Sequence, residues 1–371
     1  MFENLAALFL RAYQKIANLY PGSTSRIRDG NNGISNYAYV TNQGSNNISQ
    51  YFIAAHGNLV PMATATIAAG TTPVFIGVSP SGKHAYAANQ GGNNISQYKI
   101  SVNGSLAVIA TPIEAGTSPV EIAIDPSGRY AYVANSSSND VSQYLVDENG
   151  ILSAMSPATV ATGMIPVAIR IDPSGKYVYV VNNSSNNISQ YEITENGRLR
   201  PMMPATVAAG VAPRSIAVDP SGKYVYVVNR TSCNISQFEI SSGGSLAPVS
   251  AVVDAGKNPI FISVAPSGKY AYVVNQNSNS VSQYTLAENG SLKPMTPTAV
   301  PSVETPVCIA IDHSGKYAYV TNISSNDVSQ YAVSERGELK AISINVWGDV
   351  TVAAEVSPRC VTTVGIKINT A

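Results

Sequence analysis

The residues of this chain that could do chemistry are few, and they stand where near-identical segments differ. Glu121, Arg170, Arg214 and Arg359 all lie in short segments that begin with proline, such as PVEIAI and PRSIAV. A desolvated carboxylate can act as a general base, and guanidinium groups bind carboxylates or phosphates through paired hydrogen bonds. We therefore predict Glu121 as a candidate catalytic base and the three arginines as candidate ligands of an anion.

The second position after each of these prolines differs from copy to copy. Its occupants are Phe75, Glu121, Ala168, Ser215, Phe261, Cys308 and Cys360. The two phenylalanines, Phe75 and Phe261, are further ligand-binding candidates. Single charged substitutions at a solvated surface are also common without any function, so a structural interpretation of the same positions stays open.

No other constellation indicates chemistry. The three histidines, His56, His84 and His313, are scattered, and the chain has no H-E-x-x-H, C-x-x-C, G-x-S-x-G or glycine-rich phosphate loop. We therefore expect neither a metal site nor a cofactor. The three cysteines show no short spacing and are interpreted as small packed thiols. They are Cys233, Cys308 and Cys360.

Composition excludes several classes of partner. The 371 residues carry no net charge and only 12% are charged, so we expect no nucleic-acid partner. No apolar run has the length of a membrane span. Residues 1–36 are predicted to form a short helix and a linker; this amphipathic helix either packs on the domain or docks to a membrane surface or partner. The absence of a signal peptide favours the cytoplasm, although the Asn- and Ser-rich surface also suits an exported protein.

The chain repeats itself at a sustained period. DPSGKYVYVVN occurs at 172–182 and again at 219–229. The Asn that ends this segment recurs seven times at steps of 46 or 47 residues, and so does a later Gly. Such a period is typical of repeat architectures.

One repeat predicts four antiparallel strands. In residues 166–210, PVAIRID, KYVYVVN, NISQYEI and PATVAAG alternate as strands do, and DPSG and ENG are turns. Both faces of the second strand are apolar, so each sheet must be covered on both sides. This is typical of a propeller blade. We expect the tyrosines to pack between blades and the Ser-Gln pairs to satisfy polar groups between sheets.

The fold class is therefore all-β, a seven-bladed β-propeller over 37–371 with four antiparallel strands per blade. Blade 1 begins at its second strand, and residues 353–364 align with the inner-strand segment 208–219. We expect N- and C-terminal strands to share blade 1, with residues 24–33 as a weaker competitor for the same place. An insertion near Trp347, the only tryptophan, caps an edge or marks a contact site.

YVTN stands at 39–42 and 319–322, beside DPSGKY and NNISQY. With these motifs, residues 37–371 resemble the YVTN family of β-propeller repeats, a branch of the lactonase-like seven-bladed propellers that includes 6-phosphogluconolactonases. The resemblance implies histidines beside arginine and glutamate where the inner strands begin. Arg214 and Arg359 keep the arginine part of that pattern, but no histidine stands there, and this lowers the expectation of catalysis.

Two functions follow from these residues. The first is a monomeric binding or scaffold module that takes a small anionic molecule or a protein partner at the mouth of the channel. The second, implied by the resemblance, is a lactonase that opens a sugar lactone such as 6-phosphogluconolactone. In that mechanism Glu121 activates water while Arg170, Arg214 or Arg359 holds the substrate anion and the developing oxyanion.

Overall fold

A computed structural model describes residues 34–249, 251–342 and 351–367. These residues form thirty strands in seven antiparallel sheets, which confirms the predicted seven-bladed propeller. The chain divides into two compact units: residues 36–366, and residues 1–35 with 367–371. Of the second unit only residues 34, 35 and 367 are described. The predicted N-terminal helix and Trp347 therefore lie outside the described residues.

Blade 4 shows how one repeat folds. Its strands are β12 (Pro166–Ile171), β13 (Tyr177–Asn182), β14 (Asn187–Ile193) and β15 (Leu199–Ala208), paired in that order from the inside outward. The Asp172 carboxylate accepts hydrogen bonds from the backbone N–H groups of Ser174 and Tyr177, which closes the first turn. At the opposite end of the second strand, the Asn182 amide donates to Ser189 Oγ at 2.8 Å.

The other blades follow the same plan. Blade 1 contains β1 (Ile34–Asn42), β2 (Asn47–Ile53) and β3 (Leu59–Ala68). Blade 2 contains β4 (Pro73–Val78), β5 (His84–Asn89), β6 (Asn94–Ile100) and β7 (Leu106–Glu114). Blade 3 contains β8 (Pro119–Ile124), β9 (Tyr130–Asn135), β10 (Asp140–Val146) and β11 (Leu152–Ala161).

Two of the remaining blades have a divided outer strand. Blade 5 contains β16 (Pro213–Val218), β17 (Tyr224–Asn229), β18 (Asn234–Ile240), β19 (Leu246–Pro248) and β20 (Val253–Asp254). Blade 6 contains β21 (Pro259–Val264), β22 (Tyr270–Asn275), β23 (Ser280–Leu286) and β24 (Leu292–Pro301). Blade 7 contains β25 (Pro306–Ile311), β26 (Tyr317–Asn322), β27 (Asp327–Val333), β28 (Leu339–Ala341) and β29 (Thr351–Ala353).

The ring closes as predicted, in blade 1. The C-terminal strand β30 (Pro358–Lys367) lies beside β1 and completes the sheet in the order β3-β2-β1-β30. The backbone N–H of Gln43 donates to the carbonyl of Ser357 at 2.9 Å, just before β30 begins. The last residues of the chain therefore provide the inner strand of its first blade. The competing segment 24–33 lies outside the described residues.

Tyrosines of the second strand hold each blade to the next. The hydroxyl of Tyr179 donates to the carbonyl of Gly244 at 2.6 Å, and the equivalent bond is present at all seven interfaces. Gly244 has φ 83°, and a Cβ there would come within 2.3 Å of the Tyr177 ring. Only glycine fits this place. The predicted packing of tyrosines between blades is thus confirmed, and it explains why this tyrosine recurs in every second strand.

Glutamines of the third strand form a second set of bonds between blades. Gln190 Oε1 accepts from the Leu246 N–H of the next blade at 2.7 Å, and its Nε2 donates to the Pro204 carbonyl at 3.0 Å. The glutamine–leucine bond also recurs at all seven interfaces. These side chains satisfy buried backbone groups, as predicted for the Ser-Gln pairs. Of the described residues, none belongs to a helix long and apolar enough to cross a membrane.

Candidate functional site

The seven inner strands line a central channel with two different ends. At one end each inner strand begins with proline, and we call this the proline end. At the other end lie the turns of the Asp-Pro-Ser-Gly type, and we call this the turn end. Because the inner strand is a sheet edge in every blade, its side chains and free backbone groups face the channel and the neighbouring blades.

The backbone at the proline end is held in an uncommon conformation. The residue before each proline has a φ between 52° and 59°, the left-handed region that non-glycine residues seldom adopt. In six of the seven repeats, an asparagine amide oxygen accepts the N–H of this residue, as Asn186 does from Ala212 at 2.8 Å. The proline end is therefore a fixed rim, and strain of this kind is frequent at binding sites.

The first position after the proline distinguishes two blades from the other five. Five copies carry a β-branched aliphatic residue, and two carry arginine. The seven residues are Val74, Val120, Val167, Arg214, Ile260, Val307 and Arg359. Blades 5 and 1, which hold the arginines, are three steps apart around a ring of seven. Two guanidinium groups therefore enter an otherwise aliphatic rim from widely separated blades.

Arg214 is a partly buried guanidinium without a compensating carboxylate. Two ion pairs occur among the described residues, and neither includes Arg214. Its guanidinium also makes no hydrogen bond to any residue in the described part of the chain. Burial, followed by the positive charges of Arg359 and Arg230, lowers the pKa of Arg214 to about 10, against an opposing effect of Glu121. The protein thus places positive charge where solvent compensates it poorly.

Two further arginines complete this positive region. Arg359 Nε donates to the side-chain oxygen of Gln43, and burial lowers the Arg359 pKa. Arg230 is exposed in the loop after β17, and its Nε donates to Asn258 Oδ1. We call Arg214, Arg230 and Arg359 the arginine cluster. Each of the two bonded arginines uses only Nε in these contacts, so the terminal nitrogens are left to bind a ligand.

Glu121 and Arg170 form a separate pair further along the channel. Glu121 is 3% exposed; its Oε2 accepts the backbone N–H of Ile169 at 2.9 Å, and its Oε1 accepts from Arg170 Nη1. Arg170 also donates to the Ile169 carbonyl at 2.8 Å. Both carboxylate oxygens are thus engaged by the inner strand of the next blade. Any reaction that uses Glu121 as a base must exchange one of these bonds for water or substrate.

The contact of Glu121 with the next blade belongs to a wider pattern. Ser215 occupies the position of Glu121 in blade 5, and Ile262 occupies the position of Ile169 in blade 6. Ser215 Oγ accepts the backbone N–H of Ile262 at 3.4 Å. The second position after the proline therefore points toward the neighbouring inner strand. The residue at this position differs from blade to blade. Its identity therefore affects both the contacts between adjacent inner strands and the side chains that line the channel.

A cavity of about 380 Å³ lies along the channel between this level and the turn end. Phe75 and Phe261 line it together with Arg170, whose guanidinium carbon lies 6.0 Å from the centre of the Phe75 ring. That distance is at the limit of a cation–π contact. Phe75 and Phe261 make part of the cavity wall apolar. Arg170 is the one charged residue of the lining, and it is paired with Glu121.

The candidate residues from the sequence therefore divide into two groups. Arg214 and Arg359 lie at the proline end, whereas Glu121, Arg170, Phe75 and Phe261 lie deeper. Arg230 was not among the candidates. The sequence did contain a signal for Arg230. It directly follows the asparagine that ends the second strand, and the other six repeats have an uncharged residue there, such as Gln43 or Gln276. Among the described residues, no group of three metal-ligating side chains could hold a metal ion.

The sequence matches the family model described as lactonase, 7-bladed beta-propeller, over residues 21–165, 151–258 and 237–348. The chain belongs to this lactonase propeller family. The match covers most of the seven blades described above, and it agrees with the motif-based prediction. No match was found among curated proteins.

Solved structures share the fold of this lactonase-family propeller at low identity. A putative 6-phosphogluconolactonase from Bacteroides fragilis superposes with TM-score 0.78 and 19% identity, covering 91% of this chain and 99% of the other. The periplasmic gluconolactonase PpgL of Pseudomonas aeruginosa gives 0.75 and 18%, covering 90% and 99%. The hydrazine synthase of Kuenenia stuttgartiensis gives 0.63 and 20%, covering 80% and 92%. Proteins with such different activities share this fold at these identities, so the similarity supports the fold, and function must be argued from the site.

Proposed function

We propose that this lactonase-family propeller is a binding module that takes a small anion at the proline end of its channel, through the arginine cluster. The observation that carries the proposal is Arg214, a partly buried guanidinium with no carboxylate partner among the described residues and with two further arginines acting on it. Holding like charges together out of water costs free energy. An anion between them removes that cost.

The surroundings define the class of anion. Guanidinium groups bind carboxylate and phosphate oxygens with two parallel hydrogen bonds. The rest of the rim is aliphatic, with Val74, Val167 and Ile260 at the equivalent positions. The ligand therefore has one or two anionic groups on a compact body. Sugar acids and their phosphates satisfy this description, and the names of the structural neighbours, a putative 6-phosphogluconolactonase and a gluconolactonase, make them the first probes to use.

Isothermal titration calorimetry with 6-phosphogluconate, gluconate and glucose tests the proposal. We expect affinity to fall in that order, and Arg214→Ala or Arg359→Ala to weaken 6-phosphogluconate binding roughly tenfold or more, the value of a charge-assisted hydrogen bond. Arg200→Ala is the matched control, because Arg200 is exposed and paired with Glu192 in the outer part of blade 4. Equal affinity in Arg214→Ala and the wild type would contradict the proposal.

Lactone hydrolysis is the second candidate, favoured by the family match and by the buried Glu121 carboxylate beside Arg170. Acid release from 6-phosphogluconolactone, corrected for spontaneous hydrolysis, measures it. If Glu121 is the base, Glu121→Gln lowers turnover at least about a hundredfold, while Glu192→Gln leaves turnover unchanged. Binding of 6-phosphogluconate without turnover of the lactone would support the binding module alone.

A further inference from the structure

The closure of the ring carries features that no other pair of blades has. Thr41 and Thr321 are the threonines of the two YVTN segments, and both are fully buried. The backbone N–H of Cys360 in β30 donates to Thr41 Oγ1 at 3.1 Å, and Thr321 Oγ1 donates to the carbonyl of Arg359 at 3.1 Å. The closing strand is thus bound to blade 1 and to blade 7 by side chains that the other blades replace with valine or alanine.

Two thiols meet where the closing strand contacts blade 7, and we call this contact the seam. Cys308 in β25 of blade 7 and Cys360 in β30 of blade 1 occupy equivalent positions, two residues after the proline. Their sulfur atoms lie 3.6 Å apart, and the residues are 2% and 3% exposed. The other five copies have no cysteine at this position. Cysteines therefore occupy this position in two neighbouring blades only where the inner strand of blade 7 meets the closing strand of blade 1.

The pair is reduced and reachable. Both cysteines are free thiols. Burial, and then the neighbouring Cys308, raise the pKa of Cys360, which lowers the thiolate fraction and slows its reaction with an oxidant. Cys360 also lines the channel cavity of about 380 Å³, whereas Cys308 lies behind it, with its sulfur 3.8 Å from the Val361 carbonyl. A small oxidant in the channel therefore reaches Cys360 first, and Cys308 is placed to react second.

We propose that Cys308 and Cys360 form a disulfide that fastens the closing strand to blade 7, with a peroxide as the oxidant. The Cys360 sulfur attacks one peroxide oxygen, forming a sulfenic acid and releasing water. The Cys308 sulfur then attacks the Cys360 sulfur, the S–S bond forms, and the second oxygen leaves as water. Two thiols and one hydrogen peroxide thus give one disulfide and two waters. The sulfur atoms must approach from their present separation to about 2.05 Å.

The consequence is a link between the inner strands of blades 7 and 1 that depends on redox state. The bond would join residues 52 positions apart in the chain, and the loop it closes would contain blade 7 from the middle of β25 onward. Closing a loop of that length restricts the unfolded chain and raises the denaturation temperature by roughly 5 °C. Because the bond acts through the closing strand, this inference stands whether or not the arginine cluster binds an anion.

The experiment uses the full chain with Cys233→Ser, so that the two seam cysteines are the only thiols. The folded, reduced protein is treated with hydrogen peroxide, quenched with catalase and denatured in a thiol-reactive chromophore. We expect the thiol count to fall from two to zero, the intact mass to fall by the mass of two hydrogens, and the denaturation temperature to rise. Dithiothreitol is expected to reverse all three changes.

Cys233→Ser with Cys308→Ser is the matched control, since it retains Cys360 but cannot form the bond. It should gain oxygen mass without any rise in denaturation temperature. Two thiols remaining after peroxide treatment of the folded protein, or their oxidation to sulfinic acids without a cross-link, would overturn the proposal. Cross-linking between chains instead of within one chain would overturn it equally. Wild-type protein provides the accessibility check, because its partly exposed Cys233 should react under the same conditions.

Discussion

The blade interfaces and the channel wall are made from the same seven repeats but obey different rules. At the interfaces, the tyrosine–glycine and glutamine–leucine bonds occur seven times out of seven. On the channel wall, the second position after the proline is in turn aromatic, acidic, small and thiol. The interface side chains are buried and must satisfy buried backbone groups, so few alternatives fit. The second position after the proline makes no contact that recurs in all seven blades, so its occupant can vary.

This difference separates residues that specify the fold from residues that specify chemistry. A residue repeated in every blade is explained by a contact repeated in every blade. A residue that breaks the repeat requires its own explanation, as Arg214, Arg230 and Cys360 do. Substitutions in the two regions should therefore differ in what they change: interface variants should lose stability, and channel variants should lose binding or reactivity.

The largest effect is expected from Gln190→Ala at an interface. Gln190 is fully buried, and its removal leaves the Leu246 N–H and the Pro204 carbonyl without their partner. Each unsatisfied buried group costs about 1–3 kcal/mol, so we expect a loss of roughly 3 kcal/mol in the free energy of unfolding. Urea unfolding followed by circular dichroism measures it.

Gln276→Ala is the control for that variant. Gln276 is a partly exposed glutamine in a loop, where it accepts one hydrogen bond from Asn258. Its replacement should change the unfolding free energy by less than about 0.5 kcal/mol. Similar losses in both variants would mean that the interface glutamines are no more important than surface ones.

Phe238 offers a reciprocal test at one of the few irregular interface positions. In six blades the third-strand tyrosine donates its hydroxyl to an outer-strand carbonyl of the preceding blade, as Tyr191 does to Ala161. Blade 5 has Phe238 instead, buried to 2% exposure. Tyr191→Phe should destabilise the protein by about 1 kcal/mol and Phe238→Tyr should stabilise it by a similar amount. Changes of the same sign in thermal unfolding would refute this interpretation.

Cys233→Asn should give a smaller gain. Cys233 has φ 53°, and the equivalent residue of the other six repeats is an asparagine. Asparagine tolerates this conformation better and supplies the oxygen that accepts a backbone N–H across the rim, as Asn186 does from Ala212. We expect about 0.5–1 kcal/mol of stabilisation from Cys233→Asn and an opposite change from Asn186→Cys. A loss of stability in Cys233→Asn would indicate that Cys233 makes a specific contact of its own.

Most of the fold could be predicted from the sequence because the repeat samples it seven times. The period gave the number of blades, and the alternation in KYVYVVN gave a strand covered on both faces. The match of residues 353–364 with 208–219 placed the closing strand. These inferences needed only local patterns and a count.

The candidate site was less predictable, because it depends on which way single inner-strand residues point. Sequence spacing placed Glu121 and Arg214 on one ring, but in the structure Glu121 forms its ion pair with Arg170 and not with Arg214. The structure also directs the Glu121 carboxylate to the N–H of Ile169 in the next blade. Arg230 lies in a loop 16 residues after Arg214, and only the three-dimensional arrangement brings their charges together. Contacts made by a residue that occurs in only one copy have no signature in the spacing of the repeat.

Arg214→Leu should have the smallest effect on stability and so gives the sharpest distinction between the two regions. Burial and neighbouring arginines lower the pKa of Arg214 to about 10 in the folded protein, below its value in the unfolded chain. Its protonated form therefore reduces stability at every pH below about 10, and the penalty is relieved as the pH rises above that value. At neutral pH we expect the leucine variant to be equal or slightly more stable, by less than about 1 kcal/mol.

Adding 6-phosphogluconate should reverse that order. An anion that binds only the folded wild type raises its unfolding temperature by mass action, and the leucine variant should not respond. The measurement is the unfolding temperature of the wild type and of the leucine variant, each with and without 6-phosphogluconate. If Arg214→Leu instead destabilises the protein as much as Gln190→Ala does, Arg214 belongs with the interface residues that hold the blades together. The proline end would then need another explanation for its paired arginines.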